Sequence, residues 1–465
     1  MQDWTGVHVV VIGAARQGTA LARFLAGRGA AVILNDGRPP AELADTRAQL
    51  ADLPVEWVLG GHPLRILDGA GLVCPSGGVP LDLPLVAEAR RRRIALSNDS
   101  QIFLDAAPCP TIGITGSAGK TTTTTLAGRI LEADGAGRRR TWVGGNIGNP
   151  LIGVLDEIAA DDLAVIELSS FQLELMRSSP QIAAVLNLTP NHLDRHGTMA
   201  AYAAAKANIL NFQTGSGTAV LGRDDPGARS LLPHVKGRLA TFGIGAPAAA
   251  GQPLQPTSFD VHVHEGEIVL ASGGERTAVM PLAEVELRGE HNLRNVLAAC
   301  AIAHAAGAGA EAMRSGVRGF RGVEHRLEFV RSWGGADWYN DSIATAPERA
   351  MAALRSFEAP VVLLAGGKDK DLPWEDFARL IVKRVRHLVA FGETAGMIAG
   401  LVRSAGDGPD TISTHRGLRE AVAAAAAAVS PGDVVLLSPG GASFDEFKDF
   451  AERGAFFKRW VSELP

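Results

Sequence analysis

The chain has 465 residues, 45 Lys and Arg against 50 Asp and Glu, and a formal net charge of −5. At roughly 150 residues per domain this suggests about three domains; 46% hydrophobic residues supply several cores, and a charged fraction of 20% leaves little room for long disordered arms. The mild negative balance argues against nucleic acid or an anionic membrane as a partner, while allowing a local basic pocket. Three cysteines, at 74, 109 and 300, are odd in number and widely spaced, so neither a disulfide framework nor a structural zinc site is expected. The opening Met1-Gln2-Asp3-Trp4 lacks a basic stretch before an apolar one, which predicts no signal peptide. No strongly apolar run reaches the roughly 18 residues of a membrane span, and the alanine tract 423–428 reads as a buried helix face. A cytoplasmic multidomain protein is the expectation.

In chain order, residues 7–12 (VHVVVI) predict a strand. Gly13 and a helix over Thr19 to Gly27 follow, then a second strand from Ala31 that closes at Asn35-Asp36. Further strands are expected at 55–59 and 71–74, a helix at 84–92, and a linker at Pro108-Cys109-Pro110. Thr111 to Thr115 reads as a strand opening a glycine-rich loop, with a helix starting near Lys120. Ala164 to Leu168 and Ala183 to Leu188 read as buried strands of a parallel sheet with helices on its faces. Residues 218–285 hold short strands broken by Gly and Pro, and His291 to Ala306 a long Ala-rich helix that buries Cys300. A third unit begins near Arg321; its strands at 361–364, 387–391 and 434–437 alternate with helical patterns and predict a doubly wound sheet.

The segment Gly113-Ile-Thr115-Gly116-Ser117-Ala118-Gly119-Lys120-Thr121-Thr122 carries the most chemistry. Glycines let backbone N–H groups converge on phosphate oxygens, and the following helix adds positive potential. Lys120 is placed to reach the β- and γ-phosphates, and a hydroxyl at Thr121 to ligate magnesium. Ile114 stands where the usual loop has its first glycine, so this is a variant loop. Glu167, at the end of AVIE, fits the acid that shares the magnesium; a solvated strand cap is the bland alternative. In the first unit, Gly13-Ala-Ala15-Arg-Gln-Gly18 is a degraded dinucleotide motif with Asp36 at the end of the next strand. Taken alone, that favours NAD.

TGSAGKTTT, GNIGNP (145–150), ELSSFQLE (167–174), NLTPNHLDRHG (187–197), YAAAKANIL (202–210), GEHNLRN (289–295), EHRLE (324–328), YNDSIAT (339–345) and LSPGGASFDEFKDFAERG (437–454) together resemble the ATP-dependent Mur ligases, in order over nearly the whole chain. The resemblance implies an α/β fold of three domains. These are an N-terminal Rossmann-like domain for a UDP substrate (1–107), a central phosphate-loop ATPase-type domain (108–320) and a C-terminal Rossmann-like amino-acid domain (321–465). It implies a ligase that phosphorylates a carboxylate with ATP and then lets an amine attack, adding glutamate, D rather than L, to UDP-N-acetylmuramoyl-L-alanine, as a monomer. Two magnesium ions are implied, one on Thr121 and Glu167, the other on His192 and a carbamate formed on Lys206. By the same resemblance Asn295, Arg326 and Asp341 meet adenine, ribose and the hinge to the third domain. Asp36 and Arg38 hold uracil, and Asn146 and Ser169 face the muramoyl-alanine. Thr345, Lys370, Ser443 and Phe450 receive glutamate.

Three departures bear on the amino acid. The family's Asn-Asp-Ser-Lys-Ala-Thr has Ile343 in place of lysine, a cation near the incoming glutamate; the charge-rich loop GGKDKDLPW (366–374) differs in detail, with Lys370 the best match to the family lysine that meets the glutamate side chain and Lys368 an alternative; and LSPGGAS replaces the more usual LSPACAS, keeping Ser443. Addition of L-glutamate is therefore the nearest alternative. A folylpolyglutamate-type ligase is disfavoured by the roughly 100 residues before the phosphate loop. An NAD-dependent dehydrogenase on Gly13–Asp36, or a nucleotide switch without ligation, are rivals from other classes.

Overall fold

The computed structural model describes residues 3–135, 137, 139–245, 259–287, 289–370 and 372–465, without the side chain of Asp194. Part of the 218–285 stretch, residues 246–258, thus lies outside the described residues. The chain divides into two compact units, Met1–Phe320 and Arg321–Pro465.

The first unit holds two sheets. One is formed by β1 (His8–Ile12), β2 (Ala31–Asp36), β3 (Val55–Leu59), β4 (Leu72–Pro75) and β5 (Ala95–Leu96), all parallel, in the order β3-β2-β1-β4-β5. After the exposed His8, the Val9–Ile12 run is apolar at every position because both faces of β1 are covered. Val9 and Val11 pack with Leu21 and Leu25 of the helix Arg16–Gly27, while Val10 and Ile12 pack with Leu67, Leu85 and Val86 on the other side. The helix starts at Arg16, three residues before the predicted Thr19, and brings the turn after Gly13 against the end of β2.

The second sheet comprises β6 (Thr111–Thr115), β7 (Thr141–Gly145), β8 (Leu163–Glu167), β9 (Ile182–Val185), β10 (Thr218–Gly222), β11 (Arg238–Phe242), β12 (Phe259–His264), β13 (Glu267–Ser272) and β14 (Glu275–Pro281). Its order is β14-β13-β12-β11-β10-β9-β6-β8-β7. The predicted parallel sheet covers the part from β7 to β12. Beyond it β12, β13 and β14 run antiparallel, joined by two-residue turns at Glu265-Gly266 and Gly273-Gly274 with positive φ throughout. β9 stops at Val185 rather than Leu188. Leu186 donates its N–H to Thr115 O at 2.9 Å, and Asn187 O accepts from Ser117 N–H at 3.0 Å, so the chain leaves the ladder to support the glycine loop. The two sheets share one apolar cluster, and Gln172 ties them: its carbonyl accepts from Asn98 Nδ2 at 2.8 Å and its Nε2 donates to Ser100 Oγ at 2.8 Å.

The second unit has one sheet, β15 (Glu328–Trp333), β16 (Ala336–Asn340), β17 (Val361–Gly366), β18 (Val385–Phe391), β19 (Thr411–His415) and β20 (Val434–Gly440), in the order β15-β16-β20-β17-β18-β19. The expected parallel core is present, with an antiparallel edge strand β15. Leu363 and Leu436 face one apolar cluster, Leu364 and Leu437 the other. The alanine tract lies in the helix Leu418–Ala428, which buries Ala421, Val422 and Ala425. All three cysteines are buried thiols, and no helix among the described residues is long and apolar enough to cross a membrane.

Candidate active site

The glycine loop follows β6, the strand between β9 and β8, at the carboxyl end of the parallel ladder, where open α/β sheets bind ligands. Gly119 has φ +82°, and a Cβ there would collide with Asn295 Oδ1, so only glycine lets the loop lie against the helix Glu290–Ala305. Lys120 folds back over the loop, its Nζ donating to Gly116 O at 2.8 Å and Ser117 O at 3.3 Å. Asn187, the first residue of NLTPNHLDRHG and not among the residues expected at the site, brackets the loop: its Oδ1 accepts from Ala118 N–H at 2.8 Å and its Nδ2 donates to Ala118 O at 3.1 Å. Ser117 Oγ donates to Thr189 O at 2.9 Å and lies 3.0 Å from Tyr202 Oη. Thr122 is half-buried in the first turn of the helix.

Glu167 is the acid opposite the loop. Its Oε2 accepts from Thr121 Oγ1 at 2.8 Å and its Oε1 from Asn146 Nδ2 at 2.9 Å. Asn146 thus stands on Glu167, and Ser169 caps the short helix Ser170–Leu173 in a reciprocal arrangement with Gln172. Lys206 is 1% exposed, on the helix Met199–Asn211. Its Nζ donates to Thr115 Oγ1 at 3.0 Å and to Gly116 O at 3.0 Å, the carbonyl that Lys120 also uses. Burial, and then the Lys120 ammonium, hold Lys206 well below the usual lysine range, against the pull of Glu167. His192 is exposed with φ +53°, its ring 5.1 Å from Phe171, on whose face His196 stacks and over which Arg195 lies at 4.6 Å. Among the described residues no group of three or more His, Cys, Asp or Glu is gathered for a metal.

At the first sheet, Asp36 and Arg38 form one unit. The guanidinium places Nε at 2.9 Å and an outer nitrogen at 2.8 Å on the two carboxylate oxygens, and Ala14 N–H reaches Asp36 Oδ2 at 2.7 Å. Burial works to raise this carboxyl, but the Arg38 guanidinium and the Arg38 and Ala14 N–H groups hold it at about 2.

In the second unit Asp341 follows β16. Burial lifts its carboxyl to about 7, although Ser438 Oγ donates to it at 2.8 Å, Leu327 N–H at 3.2 Å, and Arg326 lies near enough to oppose the rise. Lys370 Nζ donates to Thr345 Oγ1 at 3.3 Å, joining two of the four residues expected at glutamate. Ser443 is buried, and Phe450 O accepts from Ser342 Oγ at 2.8 Å. One residue was missed altogether. Arg453, fully buried, donates to Ser342 Oγ (3.0 Å), Ser342 O (2.9 Å), Gly441 O (3.1 Å) and Ala442 O (3.1 Å), tying the 340s loop to the 440s loop. Its only sequence signal was an arginine inside the quoted SFDEFKDFAERG.

Strand, glycine loop, lysine, threonine and a paired acid on the next strand define a phosphate-loop nucleotide-binding α/β protein. Known proteins narrow this. Residues 114–303 match the Mur ligase middle domain and 325–441 the Mur ligase, glutamate ligase domain. A UDP-N-acetylmuramoylalanine–D-glutamate ligase of Symbiobacterium thermophilum is 44% identical, covering 98% of both chains, and that of Pelotomaculum thermopropionicum is 42% identical over 100% of this chain and 99% of the other. A UDP-N-acetylmuramate–alanine ligase of Thermotoga maritima shares the fold, with a TM-score of 0.54 at 19% identity over 98% of this chain and 100% of that one. The chain belongs to the Mur ligase family.

Proposed function

We propose that the protein is an ATP-dependent ligase that adds D-glutamate to UDP-N-acetylmuramoyl-L-alanine, releasing ADP and phosphate, a cytoplasmic step of peptidoglycan precursor synthesis. The observation that carries the reading is the Thr121–Glu167 pair beside Lys120 and Lys206, in a chain matched end to end by D-glutamate ligases. Amide formation in water from a free carboxylate is uphill. The alanyl carboxylate oxygen therefore attacks the γ-phosphorus, ADP leaves, and the glutamate amine displaces phosphate from the acyl carbon.

Both reactants of the first step are anions, so cations must gather around them. Lys120, now satisfied by two loop carbonyls, exchanges them for phosphate oxygens. The hydroxyl and carboxylate of Thr121 and Glu167 are hard oxygen donors, which suits magnesium; it binds through one or two protein groups plus substrate phosphates, so a dense acidic cluster is not needed. Bound there, magnesium supplies charge neutralisation to the phosphates. Lys206, buried beside a second ammonium, is favoured as the neutral amine, the form that adds carbon dioxide. Carbamylated, Lys206 and His192 would hold the second magnesium. Asn295, against Gly119, serves the nucleotide; Arg326 and Asp341 serve the ribose and hinge. Asp36 and Arg38 hold the uracil, Asn146 and Ser169 the muramoyl-alanine, and Thr345, Lys370, Ser443 and Phe450 the glutamate. The division 1–107, 108–320 and 321–465, and a monomeric enzyme, complete the reading.

The test is phosphate release with ATP, magnesium and UDP-N-acetylmuramoyl-L-alanine, comparing D- with L-glutamate. Release that depends on the UDP substrate and on D-glutamate is expected. Preference for L-glutamate would change the stereochemical assignment, and release that ignores the UDP substrate would contradict the ligase.

A further inference from the structure

The helix Pro347–Leu354 starts just after Thr345, and Arg349 sits in its first turn, exposed, four residues beyond that threonine. Helical side chains lean toward the N-terminus and cover the preceding turn, so Arg349 stands on the turn that Thr345 opens, one helical turn beyond that threonine. Thr345 already accepts the Lys370 ammonium at 3.3 Å. Lys370 is lowered by burial, then by Arg349 and Arg453, and Asp341 also senses Arg326 and Arg349. Arg349 is therefore near enough to act on both Asp341 and Lys370.

Three cations converge on this corner: Arg349, Lys370 and Arg453. Arg453 is committed to the loop oxygens of Ser342, Gly441 and Ala442, and the acids whose fields reach it are Asp445 and Glu446. Among the described residues none of the three cations makes an ion pair with a carboxylate. Like charges held together in this way call for an anion from outside. Ile343, the position where a lysine was expected, lies in the same loop, its N–H donating to His325 O at 3.1 Å.

We propose that Arg349 is a specificity-determining residue that binds a carboxylate of the incoming glutamate together with Lys370, in place of the cation absent at Ile343. The proposal rests on the glutamate-ligase reading above. Lys370 supplies a compact ammonium and Arg349 a planar fork able to meet both carboxylate oxygens.

The experiment is steady-state phosphate release by the full chain, varying D-glutamate at saturating ATP and UDP-N-acetylmuramoyl-L-alanine. Arg349→Ala is expected to raise KM for glutamate by about 10- to 100-fold, with kcat and the other two KM values within about threefold. Arg349→Lys should recover most of the loss. Ile343→Lys added to Arg349→Ala should recover about fivefold or more, since it returns a cation to the same pocket. A KM for glutamate within twofold of the parent in Arg349→Ala, or a rise that neither lysine variant reduces, would overturn the proposal. A parent enzyme with no glutamate-dependent release would instead overturn the reading on which it rests, and the proposal with it.

Discussion

The phosphate loop and the amino-acid corner of the second unit both collect cations, but by opposite means. At the loop, Lys120 and Lys206 share the carbonyl of Gly116 and face Glu167, an acid already bonded to Thr121 and Asn146. The site is held in register before any ligand arrives. At the amino-acid corner, Lys370 rests on one hydroxyl, Arg349 is exposed, and only Arg453 is fixed on every side. The difference teaches where binding energy is spent. On the proposed reading, the first region is pre-organised for phosphoryl transfer, whereas the second leaves positive charge for the amino acid to neutralise.

The largest expected effect breaks the first region. Lys120→Ala should lower kcat by about 10³-fold or more, because the transferring phosphoryl loses its nearest cation; phosphate release measures it, and a loss under tenfold would place the phosphates elsewhere. Glu167→Gln keeps the shape and the Thr121 and Asn146 neighbours but removes the charge. It should cost about 10²-fold in kcat and raise the magnesium concentration needed for half-maximal rate. A half-maximal magnesium concentration unchanged from the parent would remove Glu167 from the metal.

Lys206 separates the regions by chemistry. Carbon-13 NMR after equilibration with labelled bicarbonate should show a carbamate resonance that is absent in Lys206→Ala. A resonance that survives that substitution would assign the carbamate to another amine.

The smallest effect concerns two acids at the ends of strands. Asp341 is raised to about 7 from 3.8, so the folded state keeps a proton that the unfolded state releases. Its contribution to stability is full below pH 3.8 and is progressively lost as the pH rises toward about 7. Asp36, lowered to about 2, behaves oppositely: its contribution is present above pH 3.8 and lost as the pH falls through about 2. Thermal unfolding against pH should therefore show Asp341→Asn flattening the decline between pH 4 and 7. Asp99, raised by burial to about 6, keeps part of that slope. A parallel shift at every pH would remove Asp341 from the linkage.

Much of this was legible in the sequence where chemistry is local. The phosphate loop depends on glycines, a lysine and hydroxyls adjacent in the chain, and β6 and its helix followed from the apolar run before them. Asp36 and Arg38, two residues apart, were expected together at the uracil by resemblance; that they bond to each other appears only in the structure. What escaped depended on distant partners. Arg453 is one arginine in a helix until the fold places it more than 100 residues away against Ser342. The bond from Asn146 to Glu167 is another, since nothing in GNIGNP announces Glu167. The hairpins at Glu265-Gly266 and Gly273-Gly274 did carry a turn signal, but the segment was read only as broken short strands. The end of β9 was misplaced because Leu186 and Leu188 continue the apolar pattern, while Leu186 N–H goes to Thr115 O and Asn187 O accepts from Ser117 N–H at the phosphate loop.

The central claim is that the alanyl carboxylate is phosphorylated before glutamate attacks. It is tested most directly with UDP-N-acetylmuramoyl-L-alanine carrying oxygen-18 in that carboxylate, turned over with ATP, magnesium and D-glutamate. One labelled oxygen should appear in the released phosphate for each amide formed; amide product accompanied by unlabelled phosphate would contradict the mechanism.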